Sequence, residues 1–454
     1  MDFIYADNAL TSQGWQTRVR LGLEQGRIAT LQTGVEAGAD DERHAIVLPG
    51  MPNLHSHAFQ RGMAGLAEVR GPGADSFWSW RDLMYRFALS MTPDQLQAVA
   101  AQLYVEMLEA GYTRVAEFHY LHHDPQGKPY ADIAEMAGRI GAAAAHSGIG
   151  LTLLPVFYAH AGFGGQAANP QQRRFVNSVD SYARLHEGAG QALRALEGAV
   201  VGVAPHSLRA VTPQQLQAVT ALAGSNPIHI HIAEQQKEVD DCISWSGARP
   251  VQWLLDHAAV DARWCLVHAT HTTPQELVAM AGSQAVAGLC LVTEANLGDG
   301  IFDAPSFVEA GGRYGIGTDS NVQIGVAEEL RLLEYSQRLA RQARNVMARA
   351  GSETGQSLFE AALAGGSQAL GVAAVNGVYG LAPGASADLV SLNARHLALD
   401  GCRPEQVLSA WIFTGHSLVD CVWAGGRKQV AGGRHLQREA IEQRFRTAMK
   451  ALRA

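Results

Sequence analysis

Residues 45–57, AIVLPGMPNLHSH, form an apolar run that ends in two histidines. His55 and His57 are two residues apart, and alternate side chains of a strand share a face, so both imidazoles lie on one side of a predicted strand. Two imidazoles on one side can bind one metal ion. Histidines also serve as surface or core hydrogen-bonding residues, so the pair alone does not decide the function. The run predicts a buried strand with a polar end.

Seven further apolar runs follow, separated by helical or loop-plus-helix stretches. The eight runs cover residues 45–57, 113–121, 149–160, 200–208, 227–234, 264–270, 285–296 and 313–320. Residues 92–110 show helical periodicity, and Thr92 is a candidate N-cap. Strands that alternate with helices predict a parallel sheet, and continuous apolar strands suit burial on both faces. We therefore predict an α/β fold, a TIM-like (β/α)8 barrel, with an open doubly wound sheet as the alternative.

Both ends of the chain contain short strand-like segments outside this alternation. Gly and alternating apolar residues mark hairpins near the N-terminus, and a strand pair near the C-terminus is broken at Gly425-Gly426. We predict one small β-sandwich domain made from residues 1–48 and 380–436, beside a barrel of residues 49–379. Residues 437–454 are expected to form a C-terminal helix.

Composition and charge exclude several functional classes. With 35 basic and 43 acidic residues the net charge is −8, so no broad footprint for nucleic acid is expected. Any anionic small-molecule substrate must be bound by a few placed arginines. No apolar run approaches the roughly 20 residues that span a bilayer, and the N-terminus lacks the pattern of a signal peptide. Five scattered cysteines without a CxxC pair fit a cytoplasmic location.

Polar side chains close six of the eight runs, at the end where barrel enzymes build active sites. They are His55 and His57, Glu117 to Tyr120, His206, His229 with His231 and Glu234, His268, and Asp319. A single-metal site needs three or four protein ligands, so one of His229 and His231 is expected not to be a ligand. Asp319 is also a candidate helix N-cap by its residue type.

Five motifs, in the same order along the chain, resemble those of the amidohydrolase superfamily. They are PGMPNLHSHAFQRG (49–62), HIHIAE (229–234), LVHATH (266–271), GIGTDS (315–320) and GASADLVSLN (384–393). The resemblance implies a (β/α)8 barrel enzyme with a metal site made by four side chains: His55, His57, His231 and Asp319. It further implies that Glu234 and His268, together with Asp319, handle the protons of the reaction.

The lysines bear on the number of metal ions. Superfamily members with two ions usually bridge them with a carboxylated lysine or a glutamate in the third or fourth strand. The chain has four lysines, Lys128, Lys237, Lys428 and Lys450, and none lies in one of the eight runs predicted to form the barrel. One Zn²⁺ per subunit is therefore expected, with Fe²⁺ or Mn²⁺ as alternatives for the same ligands.

Two segments narrow the resemblance to one branch of deaminases. NLHSHAFQRGMAG (53–65) and SFWSWRDLMYR (76–86) resemble the formimidoylglutamate deiminases. This implies a homodimeric enzyme of histidine degradation that hydrolyses N-formimino-L-glutamate to N-formyl-L-glutamate and ammonia. The substrate has two carboxylates, which arginine forks match, so Arg81 and Arg209 are the candidate clamps. Three more substrate contacts are carried over from the resemblance: Gln60, Tyr120 and His206.

Other polar and aromatic residues near these motifs are assigned no contact with substrate. Trp78 and Trp80 are expected to pack the loop after the first strand, because indoles bury a large area wherever they lie. The sequence fixes no direction for Arg61 and Arg86 and no role for His229.

Three other functions are compatible with the same motifs. Guanine, adenosine or S-adenosylhomocysteine deaminases share the metal ligands but need a flat aromatic pocket instead of paired arginines. A triazine-type hydrolase would use the same nucleophile with a different leaving group. A non-catalytic barrel is expected to have lost ligands, whereas all four ligand positions and both proton-transfer positions are filled here.

Overall fold

The computed structural model describes residues 1–70, 77–372, 374–375, 377, 379–415 and 418–453, with the side chains of 77–79 excluded. The expectation for Trp78 therefore lies outside the described side chains. The strands are β1 Asp2–Thr11, β2 Gly14–Glu24, β3 Arg27–Gln32, β4 Glu42–Pro49, β5 Met51–Ser56, β6 Tyr112–His119, β7 Gly150–Phe157, β8 His160–Gly162, β9 Gln166–Ala167, β10 Val200–Val201, β11 Ala204–Pro205, β12 Ile228–Ile232, β13 Trp264–His268, β14 Val286–Leu289, β15 Arg313–Ile316, β16 Leu389–Leu392, β17 Val419–Ala424, β18 Arg427–Ala431 and β19 Arg434–His435.

The helices alternate with the central strands, as the sequence predicts. They are α1 Phe77–Ser90, α2 Pro93–Glu109, α3 Glu135–Ser147, α4 Val179–Ala192, α5 Pro213–Ala221, α6 Gln236–Ser246, α7 Pro250–His257, α8 Pro274–Gly282, α9 Leu291–Leu297, α10 Ala304–Glu309, α11 Val326–Arg341, α12 Thr354–Ala369, α13 Val407–Thr414 and α14 Arg438–Leu452. Helix α2 begins after Thr92, whose side chain accepts the backbone N–H of Gln95 in a capping box. The Thr92 cap predicted from the sequence is confirmed.

Eight parallel strand segments close into a barrel, with β10 and β11 together forming the fourth. Strands β5, β6 and β7 pair in sequence, and β10 and β11 both pair with β7. Isolated bridges join the β11 region to β12, and β12 to β15 pair in order. A parallel bridge between Ser56 and Asp319 then joins the first barrel strand to the segment after the last. The predicted (β/α)8 barrel is confirmed, and the open doubly wound sheet is excluded by this closure.

The run at 45–57 is two strands and not one. Strand β4 pairs with β1 and β16 in the terminal sheet, whereas β5 pairs with β6 in the barrel. Gly50 lies at the break, and a Cβ there would lie 2.2 Å from the Thr113 side chain. Glycine therefore permits the close passage from one sheet to the other.

The seventh predicted run, 285–296, is only half a strand. Strand β14 ends at Leu289, and residues 291–297 form α9, which ends at Gly298 in the left-handed region. The expectation of a strand over the whole run is wrong. A short apolar run does not separate strand from helix by periodicity alone.

The two ends of the chain meet in one sheet. Its eight strands follow the order β19-β18-β17-β16-β4-β1-β2-β3, around a second apolar core that includes Leu21, Ile28, Leu389 and Trp423. The additional β-domain from both termini is confirmed, while its boundaries at 48/49 and 379/380 stay a prediction.

Helix α14 packs against α2 of the barrel. None of the described helices is long and apolar enough to cross a membrane.

Candidate active site

Four side chains converge at the carboxyl end of the barrel. His55 and His57 lie at the end of β5, His231 lies in β12, and Asp319 follows β15. Their candidate ligand atoms all lie within 4.8 Å of one another, and all four residues are buried. The structure thus brings together the ligand set that the resemblance implies.

Hydrogen bonds fix which nitrogen of each histidine faces this point. The Nδ1 of His57 is 2.9 Å from the carbonyl oxygen of Phe118, and that of His231 is 3.1 Å from the carbonyl oxygen of His206. A carbonyl oxygen only accepts, so both Nδ1 atoms carry the proton and both Nε2 atoms present a lone pair. The Nε2 atom of His55 is 3.2 Å from that of His57 and 3.0 Å from that of His231.

The charges of the group favour a bound cation. Burial lowers the pKa of His55 to about 3, so its imidazole is neutral near pH 7. Burial tends to raise the pKa of Asp319, but the imidazoles of His55 and His57 hold it well below its ordinary value. Asp319 Oδ1 lies 3.3 Å from His55 Nε2 and 3.1 Å from His57 Nε2. Neutral nitrogen lone pairs and a buried carboxylate directed at one point are the donor set of a divalent metal.

His229 does not join this group, although it shares the spacing of two with His231. Its Nε2 donates to the backbone carbonyl of Ala369 at 2.8 Å, on the outer side of the strand toward α12. A strand buried on both faces explains the difference, because the first His of HIHI contributes to barrel–helix packing. The structure therefore places His231, and not His229, with the other three candidate ligands.

The strand ends that carry the site have unusual backbone angles. Ala233, His268, Ala269 and Asp319 all have positive φ, at 49°, 67°, 50° and 43°. The left-handed region costs free energy for residues other than Gly and persists only where surrounding contacts hold it. It turns the chain sharply at the end of each strand and directs the side chains of the site inward.

A network of buried polar side chains holds β5 to the segment after β15. The amide of Asn53 donates to Thr318 Oγ1 at 2.7 Å, and Thr318 Oγ1 donates to Asn321 Oδ1 at 2.6 Å. The amide of Asn321 in turn donates to the carbonyl oxygens of His57 and Asp319, at 3.0 and 2.9 Å. Three of the four ligands are therefore fixed along one seam of the barrel.

Glu234 and His268 lie beside the four-residue group. His268 Nε2 is 3.9 Å from Glu234 Oε1 and 3.9 Å from Asp319 Oδ2. Burial tends to lower the pKa of His268, but Glu234, Glu294 and Asp319 together raise it to about 10. Burial raises the pKa of Glu234, which favours its protonated form. The three side chains can exchange protons at one position in the cavity.

Glu294 is a site residue that the sequence analysis missed. Its Oε1 lies 3.2 Å from Nδ1 of His268 and also accepts the backbone N–H of Cys290 at 2.9 Å. The carboxylate orients the imidazole of His268 as the third member of an acid–base group does. Glu294 lies in α9, inside the run expected to be a strand. It was missed because a strand over this run does not predict that the side chain faces His268.

A cavity opens beside Asp319 and contains all five predicted substrate contacts: Gln60, Arg81, Tyr120, His206 and Arg209. The amide of Gln60 donates to the Tyr120 hydroxyl at 2.8 Å. Burial tends to lower the pKa of Arg209, but Glu238 and Glu234 raise it, so the guanidinium stays charged. Trp80, expected only to pack the loop, also lines the cavity.

Other candidate groups point elsewhere. Arg61 pairs with Glu106 at 2.8 Å and donates to the backbone carbonyls of Asn321 and Val322, and Arg86 is exposed. Glu117 accepts the backbone N–H of Ala58 at 2.6 Å, below the strand ends. The sequence analysis also missed three residues that shape the cavity: Tyr85, Tyr158 and Gln172. They come from an α-helix, a strand end and a short 3-10 helix, without any motif to mark them.

Comparison with known proteins agrees with this geometry. Residues 46–428 match the amidohydrolase family, and residues 1–45 match the N-terminal domain of formimidoylglutamate deiminase HutF. A formimidoylglutamate deiminase of Pseudomonas aeruginosa is 52% identical over 449 residues, which cover 98% of each chain. An 8-oxoguanine deaminase of the same organism is 27% identical and covers 97% of this chain and 96% of its own length.

A solved structure extends the agreement to three dimensions. The crystal structure of an amidohydrolase from Brucella melitensis is 58% identical and superposes with a TM-score of 0.96, covering 100% of both chains. The motifs, the closed barrel, the four convergent ligands and the family match over most of the sequence lead to one conclusion. The chain belongs to the amidohydrolase family.

Proposed function

We propose that this protein is a deiminase that hydrolyses N-formimino-L-glutamate to N-formyl-L-glutamate and ammonia. The observation that carries the proposal is the position of Arg81 and Arg209 in the same cavity as the four-residue metal group. The 52% identity to a formimidoylglutamate deiminase over nearly the whole chain supports the choice of substrate.

We propose that one Zn²⁺ is bound by His55, His57, His231 and Asp319. Zinc–nitrogen bonds of about 2.0–2.1 Å separate two ligands of a tetrahedral site by about 3.3 Å. The histidine and aspartate atoms lie 3.0 to 3.3 Å apart in the pairs adjacent to His55, which fits such an ion. When bound, the ion supplies a water molecule whose pKa is lowered toward neutrality. Fe²⁺ and Mn²⁺ are the alternatives for these ligands.

The reaction requires protons to move in two directions. Water adds to the formimino carbon, its C–N bond to the terminal nitrogen breaks, a C=O bond forms and ammonia leaves. The ionised Asp319 carboxylate can accept the proton lost by water, and the protonated His268 imidazole, with its Nε2 3.9 Å from Asp319 Oδ2, assists by stabilising the negative charge beside it. Glu234, whose pKa is raised by burial, can hold a proton for the departing nitrogen. Glu234 Oε1 lies 3.9 Å from His268 Nε2, so the two groups are close enough to act on one substrate.

The charges of the cavity wall fit a substrate with two carboxylates. Arg81 and Arg209 supply two guanidinium groups, which bind carboxylates through paired N–H donors. Gln60, Tyr120 and His206 add polar side chains to the lining of the same cavity. A flat neutral nucleobase has no carboxylate to offer to either guanidinium group. The arginines therefore favour the formimino substrate over a nucleobase or a triazine.

Incubation of the zinc-loaded protein with candidate substrates tests the proposal. N-formimino-L-glutamate, guanine, adenosine and S-adenosylhomocysteine are supplied separately, and ammonia release is followed. Fast release from the formimino compound alone is the expected result. Release from a nucleobase or nucleoside alone would keep the metal chemistry and reject Arg81 and Arg209 as carboxylate clamps.

We further propose that the protein acts in the cytoplasm as a homodimer. The described cysteines form no disulfide, and four of the five are buried, which fits a reducing compartment. Light scattering on the purified protein tests the dimer, since a mass of one chain would reject it.

A further inference from the structure

Two tyrosine hydroxyls lie in the cavity wall on the same side as the arginines. Tyr85 comes from α1 and Tyr158 follows β7, and both line the cavity with Arg81 and Arg209. Both rings are fixed by aromatic packing around Phe175, with centroid separations of 6.1 and 5.9 Å. Burial raises the pKa of Tyr158, so its hydroxyl keeps the proton.

One buried amide contacts both hydroxyls. Gln172 ends a short 3-10 helix, Pro170–Gln172, and is 1% exposed. Its Nε2 lies 3.2 Å from the Tyr85 hydroxyl oxygen and 2.6 Å from that of Tyr158. On its other side, Gln172 Oε1 accepts the backbone N–H of Asn169 at 2.9 Å.

These contacts fix the direction of the hydrogen bonds. A backbone N–H only donates, so the Asn169 contact identifies the Gln172 oxygen and leaves the NH₂ group facing the tyrosines. An amide nitrogen does not accept hydrogen bonds, so both tyrosine oxygens are acceptors toward Gln172. Neither hydroxyl proton is used by Gln172, and at least one is left to donate into the cavity.

We infer that Gln172 is a positioning residue for substrate specificity, which holds the adjacent hydroxyls of Tyr85 and Tyr158 so that at least one of them donates to a substrate carboxylate. This inference rests on the proposed function and adds a neutral donor pair to the charged clamps. A carboxylate accepts up to about four hydrogen bonds, more than a single guanidinium fork fills. Neutral donors beside the arginines also fix the position of the carboxylate without adding charge.

Replacement of Gln172 by methionine tests the inference. The side chains are similar in size, but methionine has no donor, so nothing holds both tyrosine oxygens and their protons can turn away from the cavity. We expect KM for N-formimino-L-glutamate to rise about tenfold, as for one lost hydrogen bond to a charged group, with a much smaller change in kcat. In a Tyr158→Phe background the same change should raise KM clearly less, because Gln172 then has one hydroxyl fewer to direct.

Truncated substrates separate this role from a merely structural one. N-formiminoglycine lacks the side-chain carboxylate and 4-formiminoaminobutyrate lacks the α-carboxylate. Gln172→Met should affect at least one of these compounds much less than N-formimino-L-glutamate, because it lacks the carboxylate that the hydroxyls bind. An equal rise in KM on all three, or no rise on any, would overturn the inference.

A matched control measures the general effect of losing a buried glutamine. Gln337 in α11 is 2% exposed and donates to the carbonyl oxygen of Phe302 at 2.9 Å, away from the cavity. Gln337→Met should leave KM unchanged for every substrate. If the wild-type protein releases ammonia from none of the formimino compounds, the proposed function fails; if it does so and Gln172→Met has no effect, only this inference fails.

Discussion

The two sides of the active-site cavity are built in different ways. The strand-end side, with the four ligands, Glu234 and His268, lies on barrel strands or directly after them. The loop side, with Arg81, Tyr85, Gln172 and Arg209, comes from α1 and from segments between elements. A closed sheet fixes the first side by continuous backbone pairing, whereas the second side is fixed by side-chain packing and isolated backbone hydrogen bonds, such as that from Ala159 N–H to the carbonyl of Ala210. The comparison suggests that reaction chemistry depends on the strand-end side and substrate choice on the loop side.

Loss of the proton carrier on the strand-end side should have the largest effect. Glu234→Gln keeps the shape of the side chain but removes its ability to move a proton, so kcat should fall by about 10²–10⁴. Metal content, measured by elemental analysis, should be unchanged because Glu234 is outside the ligand group. Unaltered turnover would remove Glu234 from the mechanism.

A second buried glutamate provides the control for Glu234. Glu329 is fully buried, accepts the backbone N–H of Val292, and has a pKa raised well above its ordinary value, chiefly by burial. A raised pKa favours the protonated form of the carboxyl, and glutamine imitates that form. Glu329→Gln should retain full activity.

The next largest effect should come from Glu294, because this residue of α9 contacts His268 on the strand-end side. Glu294→Leu removes the acceptor that orients His268, and we expect kcat to fall about 10- to 100-fold. Glu294→Gln keeps an oxygen for His268 Nδ1 and should recover most of the activity. Both variants remove the negative charge that helps to raise the pKa of His268, so the pH dependence of kcat should shift in both, whereas only Glu294→Leu should also lose the orientation of His268 and most of the activity. Equal activity of both variants would show that Glu294 has no positioning role.

On the loop side, removal of a clamp should change binding more than chemistry. Arg209→Met should raise KM for N-formimino-L-glutamate about 10- to 100-fold, the range for lost hydrogen bonds to a charged group, with a smaller loss in kcat. Arg249→Met is the control, because Arg249 pairs with Glu276 at 2.8 Å outside the cavity. A fall in kcat as large as that of Glu234→Gln would contradict the assignment of chemistry to the strand-end side and of substrate binding to the loop side.

The smallest effect should come from the β-domain, which belongs to neither side. Asp41 accepts two hydrogen bonds from Arg20, at 2.7 and 2.9 Å, and the Arg20 guanidinium holds the pKa of Asp41 below its ordinary value. A lowered folded-state pKa stabilises the fold above the unfolded value of about 3.9, and this stabilisation is lost as pH falls through the folded value. Asp41→Asn should lower Tm by a few degrees at pH 7 with kcat unchanged.

Thermal unfolding at several pH values checks the sign of this effect. The difference in Tm between wild type and Asp41→Asn should shrink as the pH falls below about 4, because Asp41 becomes neutral in both folded and unfolded chains. A difference that is constant with pH would show that the charge of Asp41 contributes nothing.

The same division explains what the sequence could predict. His55, His57 and Asp319 could be found because a strand has a fixed period and strand ends converge in a barrel. Tyr85 and Gln172 are 87 residues apart, and only the packing of α1 on a loop brings them together. Glu294 was hidden because a short apolar run did not distinguish β14 from α9. The pattern also joined β4 to β5, since the break at Gly50 depends on a close contact with Thr113.

The seam between β5 and the segment after β15 has a consequence for biosynthesis. His55 and His57 leave the ribosome more than 260 residues before Asp319, so the ligand group is incomplete during most of translation. The long separation also makes this pairing a slow step of folding, since distant contacts form late. Metal loading is therefore tied to the final closure of the barrel, and a nascent chain truncated before residue 319 lacks the carboxylate that completes the group.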